Sequence, residues 1–211
     1  INDESPDLTI LKVDKQTGAP LAGAMFTVEK LEEPEKGFVT GSPFTTDAEG
    51  KIILPNMAPG SYRIVETKAP QNYVIDTAER IIDLVEGEDF TAKFEDTKKP
   101  TLTVHKVDSI TKDPLKNAQF EVYRAVNGSL DGETVMVGSF TSDASGIFKL
   151  ENAEPGWYRI VEKQAPSGYE RKTESIDVFL KAGEDKEITF ENAPMSAIII
   201  KKVDAETGEA L

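Results

Sequence analysis

Each half of this 211-residue chain ends three apolar rows with a reactive polar group. Strand side chains alternate faces, so residues two apart share one. In Leu8-Thr9-Ile10-Leu11-Lys12-Val13-Asp14 the lysine follows Leu8 and Ile10 on one face. In Tyr62-Arg63-Ile64-Val65-Glu66 the glutamate follows Tyr62 and Ile64, and farther on Asp96 follows Phe90, Ala92 and Phe94. The second half repeats the arrangement. Lys106 follows Leu102 and Val104, Glu162 follows Tyr158 and Ile160, and Asn192 follows Ile188 and Phe190. The last strand carries most of the phase inference, because Thr91, Lys93 and Glu95 take its opposite face, whereas Val13 and Val65 are apolar on a face expected to look outward. A lone buried carboxylate is costly even after relaxation, so the three groups of each half are expected to be buried together.

An amine, a carboxylic acid and an acyl acceptor in one dry site can react. Burial disfavours the charged form of each group. A neutral lysine amine is a nucleophile, and Asp96 or Asn192 offers a side-chain carbonyl carbon. A protonated Glu66 or Glu162 can donate a hydrogen bond to that carbonyl and carry protons from amine to leaving group. The product would be an amide between first and last strand, releasing water from Lys12–Asp96 and ammonia from Lys106–Asn192. Two other readings stand beside this one. The groups could form a hydrogen-bonded cluster with no bond between them. Glu66 and Asp96 could instead be a glycosidase pair, against which the intervening lysine and the lack of an aromatic sugar platform count.

Internal repetition sets the elements that hold these groups. The strand carrying Lys12 returns as Leu102-Thr103-Val104-His105-Lys106-Val107-Asp108 and again as Ile198-Ile199-Ile200-Lys201-Lys202-Val203-Asp204. The spacing is that of a whole domain. It predicts one domain over 1–97, a second over 98–194, and in 195–211 the first strand of a truncated third. Within each repeat, short β-rich runs alternate with turn signals, the pattern of a sandwich or barrel. Thr46-Asp47-Ala48-Glu49-Gly50 and Ser142-Asp143-Ala144-Ser145-Gly146 read as hairpin turns rather than calcium loops, since the acidic spacing of an EF-hand is missing. Residues 32–41 and 127–138 read as polar loops and differ most between the repeats. No stretch sustains a helical apolar period over three turns.

Composition removes several classes of function. The net charge of −14 makes nucleic acid and anionic membrane poor partners. No apolar run approaches a membrane span of about 20 residues, and Ile1 suggests an excerpt or a mature fragment. With no cysteine, neither disulfides nor thiolate chemistry is available. A single histidine, His105, makes neither a metal site nor a catalytic triad, and no cofactor or metal is expected. Trp157, in the turn before a strand, reads as packing.

The order Lys-x-Asp, then Tyr-x-Ile-Val-Glu-x-x-Ala-Pro-x-x-Tyr, then Phe-x-Asp/Asn resembles the Cna B-type (SpaA-like) domains of Gram-positive cell-surface adhesins and pilins. The resemblance spans about 8–193, with Asn72 where the second copy has Gly168. It implies an all-β fold of two tandem immunoglobulin-like β-sandwich domains. It implies intramolecular isopeptide bonds Lys12–Asp96 and Lys106–Asn192, with Glu66 and Glu162 as catalytic residues. The third copy has Lys202 but neither acid nor acceptor. The expected role is a stalk in a cell-wall-anchored extracellular protein, self-cross-linked in a single turnover rather than acting as an enzyme. Its partners would be neighbouring domains of the same protein. The alternative is an adhesive module that docks host extracellular matrix on loops 32–41 and 127–138.

Overall fold

The computed structural model describes residues 5–171, 173–196 and 200–210. Among them every regular element is a strand. In order these are β1 (Leu8–Asp14), β2 (Met25–Lys30), β3 (Gly37–Phe38), β4 (Phe44–Thr45), β5 (Lys51–Leu54), β6 (Gly60–Lys68), β7 (Tyr73–Val74), β8 (Arg80–Leu84) and β9 (Phe90–Lys98) in the first repeat. The second has β10 (Leu102–Asp108), β11 (Gln119–Ala125), β12 (Thr134–Thr141), β13 (Ile147–Leu150), β14 (Gly156–Gln164), β15 (Ile176–Leu180) and β16 (Lys186–Asn192). By compactness the chain divides into two units, the first of which takes in Leu150–Gly156 and Leu180–Lys186 along with the first repeat. Among the described residues strand pairing follows the repeat instead, each sheet drawing its strands from one copy.

Each repeat is a two-sheet sandwich. In the first, β5-β1-β9-β7 faces β3-β2-β6-β8, with β4 also on β2. Leu8, Ile10, Ala92 and Phe94 from one sheet pack on Phe26, Val28, Tyr62 and Ile64 from the other. In the second, β13-β10-β16 and β12-β11-β14-β15 take the same places. The first and last strands of the first repeat are neighbours and run parallel, with Leu8 opposite Phe90 and Asp14 opposite Asp96. The expected inward rows are buried, with two exceptions near the start of the last strands: Phe90 on β9 is exposed and Ile188 on β16 is half-buried. Val13 is buried as well, because the turn after β1 folds back and bridges Pro20 to it.

Two expectations about loops need correction. The segment Thr46 to Gly50 is a tight turn, yet β4 before it pairs with β2 and β5 after it pairs with β1. It therefore passes from one sheet to the other and closes no β-hairpin; Ser142 to Gly146 lies likewise between β12 on β11 and β13 on β10. Buried hydroxyls secure these corners. Thr46 Oγ1 accepts from Ala24 N at 3.0 Å and donates to Leu21 O at 2.8 Å. Ser142 Oγ accepts from Ala118 N at 3.0 Å and donates to Leu115 O at 2.8 Å. The second correction concerns 127–138. Its latter part belongs to β12, an edge strand whose residues are mostly exposed and so show no alternation to read. Ser142→Ala strands a buried donor and acceptor, which costs about 1–3 kcal/mol. Denaturant unfolding should show that loss, while Ser142→Thr, which restores the group found in the first repeat, should recover most of it.

Candidate functional site

Lys12, Glu66 and Asp96 meet inside the first sandwich, and Lys106, Glu162 and Asn192 inside the second. None of the six is more than 2 % exposed. Lysine and acceptor come from adjacent strands of one sheet, and the glutamate comes from the facing sheet.

In the first site Lys12 Nζ donates to Glu66 Oε2 at 2.8 Å and to Asp96 Oδ1. The backbone N–H of Asp76 also reaches Glu66 Oε2, at 3.3 Å. Glu66 Oε1 and Asp96 Oδ2 are buried without a hydrogen-bond partner. Burial is the main force on Glu66 and pushes its carboxyl up to about 7; Lys12 opposes the rise and Asp96 adds to it. In the second site each glutamate oxygen faces a different group. Lys106 Nζ lies 3.2 Å from Glu162 Oε1, and Asn192 Nδ2 donates to Glu162 Oε2 at 2.9 Å. Asn192 Oδ1 is a buried acceptor without a hydrogen bond.

Aromatic rings wall both sites. Phe26 lies opposite Glu66 in the β2–β6 ladder, 5.7 Å from Lys12 Nζ and 4.8 Å from the Phe94 ring. Phe120 lies opposite Glu162 and packs on Phe190 at 5.1 Å.

Three supporting features arise from contacts between residues distant in sequence. The first is a β-bulge beside each glutamate. The β2–β6 register shifts between Met25 and Phe26, which leaves Thr67 extra, and the β11–β14 register shifts between Gln119 and Phe120, which leaves Lys163 extra. Bulges re-aim side chains beside functional sites, and only cross-strand register reveals them.

The second is a close approach by the turn glycines. Lys12 N donates to Gly50 O at 2.8 Å and Lys106 N to Gly146 O at 2.7 Å. A Cβ on either glycine would sit 2.4 Å from the backbone oxygen of that lysine. With φ near +71° and +72°, these glycines both turn the chain and let it press on the lysine backbone.

The third is an aspartate–tyrosine pair. Tyr73 OH donates to Asp14 Oδ2 at 2.8 Å, and Tyr169 OH to Asp108 Oδ2 at 2.9 Å. Both motifs recur in the sequence, but nothing there joins them. Asn72 does adopt the positive φ, 69°, that Gly168 takes in the second copy. Trp157 packs edge-on against Phe179, with centroids 5.4 Å apart.

The family model of the SpaA prealbumin-like fold domain matches the chain twice, over residues 6–98 and 100–194. The chain belongs to that family. Among solved structures, the shaft pilin spaA from Lactobacillus rhamnosus GG is similar over 92 % of this chain and 100 % of that one, at 19 % identity and a TM-score of 0.54. A Streptococcal ancillary pilin is 24 % identical, with a TM-score of 0.47 over 93 % of this chain. The Bacillus anthracis TIE protein is 27 % identical, with a TM-score of 0.44 over 90 % of this chain. The chain spans 64 % of the ancillary pilin's length and 34 % of the TIE protein's. A comparison with curated proteins finds no match.

Gly146→Ala should destabilise the second domain by about 1–3 kcal/mol, the usual cost of a strained backbone residue. Thermal unfolding measures that loss, and an unchanged melting temperature would show that the turn yields without moving Lys106.

Proposed function

We propose that the chain is a structural stalk segment of a Gram-positive cell-wall-anchored surface adhesin or pilus subunit, with domains at 1–97 and 98–194 and the first strand of another in 195–211. In this reading each domain is locked by an isopeptide bond, Lys12–Asp96 in the first and Lys106–Asn192 in the second. Glu66 and Glu162 move the protons. The fold shared with a shaft pilin supports the stalk role. The observation that carries the chemistry is Glu162, whose two oxygens face the attacking amine and the amide nitrogen that must leave.

The steps balance. Lys106 Nζ attacks Cγ of Asn192 and forms the C–N bond, the Cγ–Nδ2 bond breaks, and Glu162 passes the lysine proton to Nδ2 so that ammonia leaves. Lys12 attacks Cγ of protonated Asp96 in the same way, a Cγ–O bond breaks, and water leaves. Each site reacts once and modifies only its own chain. Tension entering at β1 and leaving at β9 then passes through the amide, and the intervening chain stays folded. Lys12 and Asp96 are 84 residues apart in sequence. By analogy with a disulfide closing such a loop, the bridge stabilises by about 4–5 kcal/mol.

An adhesive role has one observation in its favour. Trp157 and Phe179 are exposed on the second domain, where the first has the hydrogen-bonded pair Ser61 and Asp83. Binding of host matrix proteins that Trp157→Ala abolishes would support it.

Intact mass of the denatured chain tests the chemistry. Two bonds remove about 35 Da, roughly 18 as water and 17 as ammonia. Glu66→Ala should restore the first increment and Glu162→Ala the second, each leaving a folded domain of lower heat stability. A full sequence mass for the unaltered protein would sink the mechanism.

The two bonds should also differ in pH dependence. An ammonium with two carboxylates must take up one proton to become an amine with two carboxylic acids. An ammonium, one carboxylate and an amide reach the reactive state by internal transfer alone. Glu66 titrates at about 7, so its acid form is lost as pH rises through that value. Above it the rate of water loss should fall about tenfold per pH unit, while ammonia loss stays flat. Freshly synthesised chains quenched at intervals across pH 6–9 and weighed would show both rates in one molecule; parallel profiles would contradict the proton count.

A further inference from the structure

We infer that the pairs Asp14–Tyr73 and Asp108–Tyr169 are positioning residues for bond formation, an inference that rests on the isopeptide reading above. Asp14 ends β1 on the face that carries Lys12, and it stands opposite Asp96 in the parallel β1–β9 ladder. Its Oδ1 accepts from Gln16 N at 2.8 Å and Thr17 N at 2.7 Å, which leaves Oδ2 for the Tyr73 hydroxyl. Tyr73 stands on β7, which pairs with β9 on the side away from β1, with Tyr73 opposite Lys98. Its side chain therefore crosses the acceptor strand to reach the lysine strand. Tyr73 also follows closely on Glu66 along the chain, through the turn in which Tyr73 N donates to Pro70 O at 3.2 Å. One hydrogen bond thus ties the segment that leaves the acid to the strand that holds the amine, across the strand that holds the acceptor.

The second repeat builds the same clasp. Asp108 Oδ1 accepts from Ile110 N at 2.7 Å and Thr111 N at 3.0 Å, and Oδ2 takes the Tyr169 hydroxyl. Tyr169 N donates to Pro166 O at 3.1 Å, and Ser109 N to Asn192 O at 2.9 Å. Burial works against the Asp14 carboxylate, but hydrogen bonds from Thr17, Tyr73 and Gln16 outweigh it and hold its carboxyl below the usual range. Asp14 is therefore a fixed acceptor and not a competing proton donor. The turn itself does not require the phenol. Asp204 makes the same turn with the N–H groups of Glu206 and Thr207, each at 2.9 Å, and the Thr207 hydroxyl at 3.2 Å. Ångström-scale misplacement of reacting groups costs large factors in rate, and such a tie prevents it.

The test uses the full chain made by cell-free synthesis, quenched in acid at intervals and weighed. Water loss reports the first domain and ammonia loss the second, so each domain serves as a control for the other. Tyr73→Phe should slow water loss by about tenfold or more and leave ammonia loss unchanged; Tyr169→Phe should do the reverse. Asp14→Asn with Tyr73→Phe should be no slower than the worse single variant, because the pair acts as one unit. Hydrogen exchange on Tyr73→Phe in the Glu66→Ala background, where no bond can form, reports whether the first domain stays folded. An unchanged rate, or a slowing matched by the unfolded fraction, overturns the positioning role. Full sequence mass in the unaltered protein overturns the isopeptide reading and this inference with it.

Discussion

A lysine amine buried with a carboxyl group and an acyl acceptor, an aspartate in one copy and an asparagine in the other, is the constraint around which both domains are arranged. Such a cluster is a poor source of stability by itself, because desolvating the charges consumes most of what their attraction returns. Buried Lys12, Glu66 and Asp96 leave two oxygens, Glu66 Oε1 and Asp96 Oδ2, without partners, a cost that an ordinary core position would not carry. Hydrophobic residues of similar volume would hold the sandwich at least as well. Groups this costly make sense where they react, since amide formation removes charge from the place where charge is most expensive. The aromatic walls serve the same end. Phe26 against Phe94 and Phe120 against Phe190 exclude the water that would otherwise solvate the amine.

The location of the cluster follows from how force would cross the fold. β1 and β9 are adjacent and parallel, so pulling the chain outward from the start of one and the end of the other loads their hydrogen bonds in shear. The proposed covalent link at Lys12 and Asp96 would join those two strands directly. The chain between them, including the facing sheet, then lies off the load path. Glu66 comes from that facing sheet, which would let it serve the proposed reaction without belonging to the connection.

Much of this was legible in the residues because alternation has a period of two and a buried polar group stands out against an apolar row. Lys12, Glu66 and Asp96 were placed by phase alone, and Asn192 by its position after Ile188 and Phe190. What stayed hidden depends on pairing between distant strands. The bulges at Thr67 and Lys163 are register events, visible only once β2 and β11 lie beside their partners. The turns ending in Gly50 and Gly146 were recognised as turns, but local signals do not tell whether a turn joins neighbours or changes sheets. The first part of β12, residues 134–138, reads as loop because an edge strand with both faces exposed has no alternation to detect. Val13 misled in the other direction: the turn that covers it is formed by the chain beyond its own strand.

Comparing the two copies separates constraint from freedom. Around the cluster they agree in detail, with the same bulge beside the glutamate, the same glycine against the lysine backbone and the same tyrosine on the aspartate. At the rim they diverge. The outer edge beside β2 is broken into the two-residue strands β3 and β4, whereas the edge beside β11 is the single eight-residue strand β12. The surface pair Ser61 and Asp83 gives way to Trp157 and Phe179. Agreement covers the buried apolar rows and extends beyond them to backbone features beside the amine and the acid, whose effect there is to set where those groups stand. The acceptor is the one member of the cluster that differs, aspartate in one copy and asparagine in the other. Both present a carbonyl carbon to the lysine, and in the proposed chemistry they differ in what would leave and in whether a proton must first be taken up.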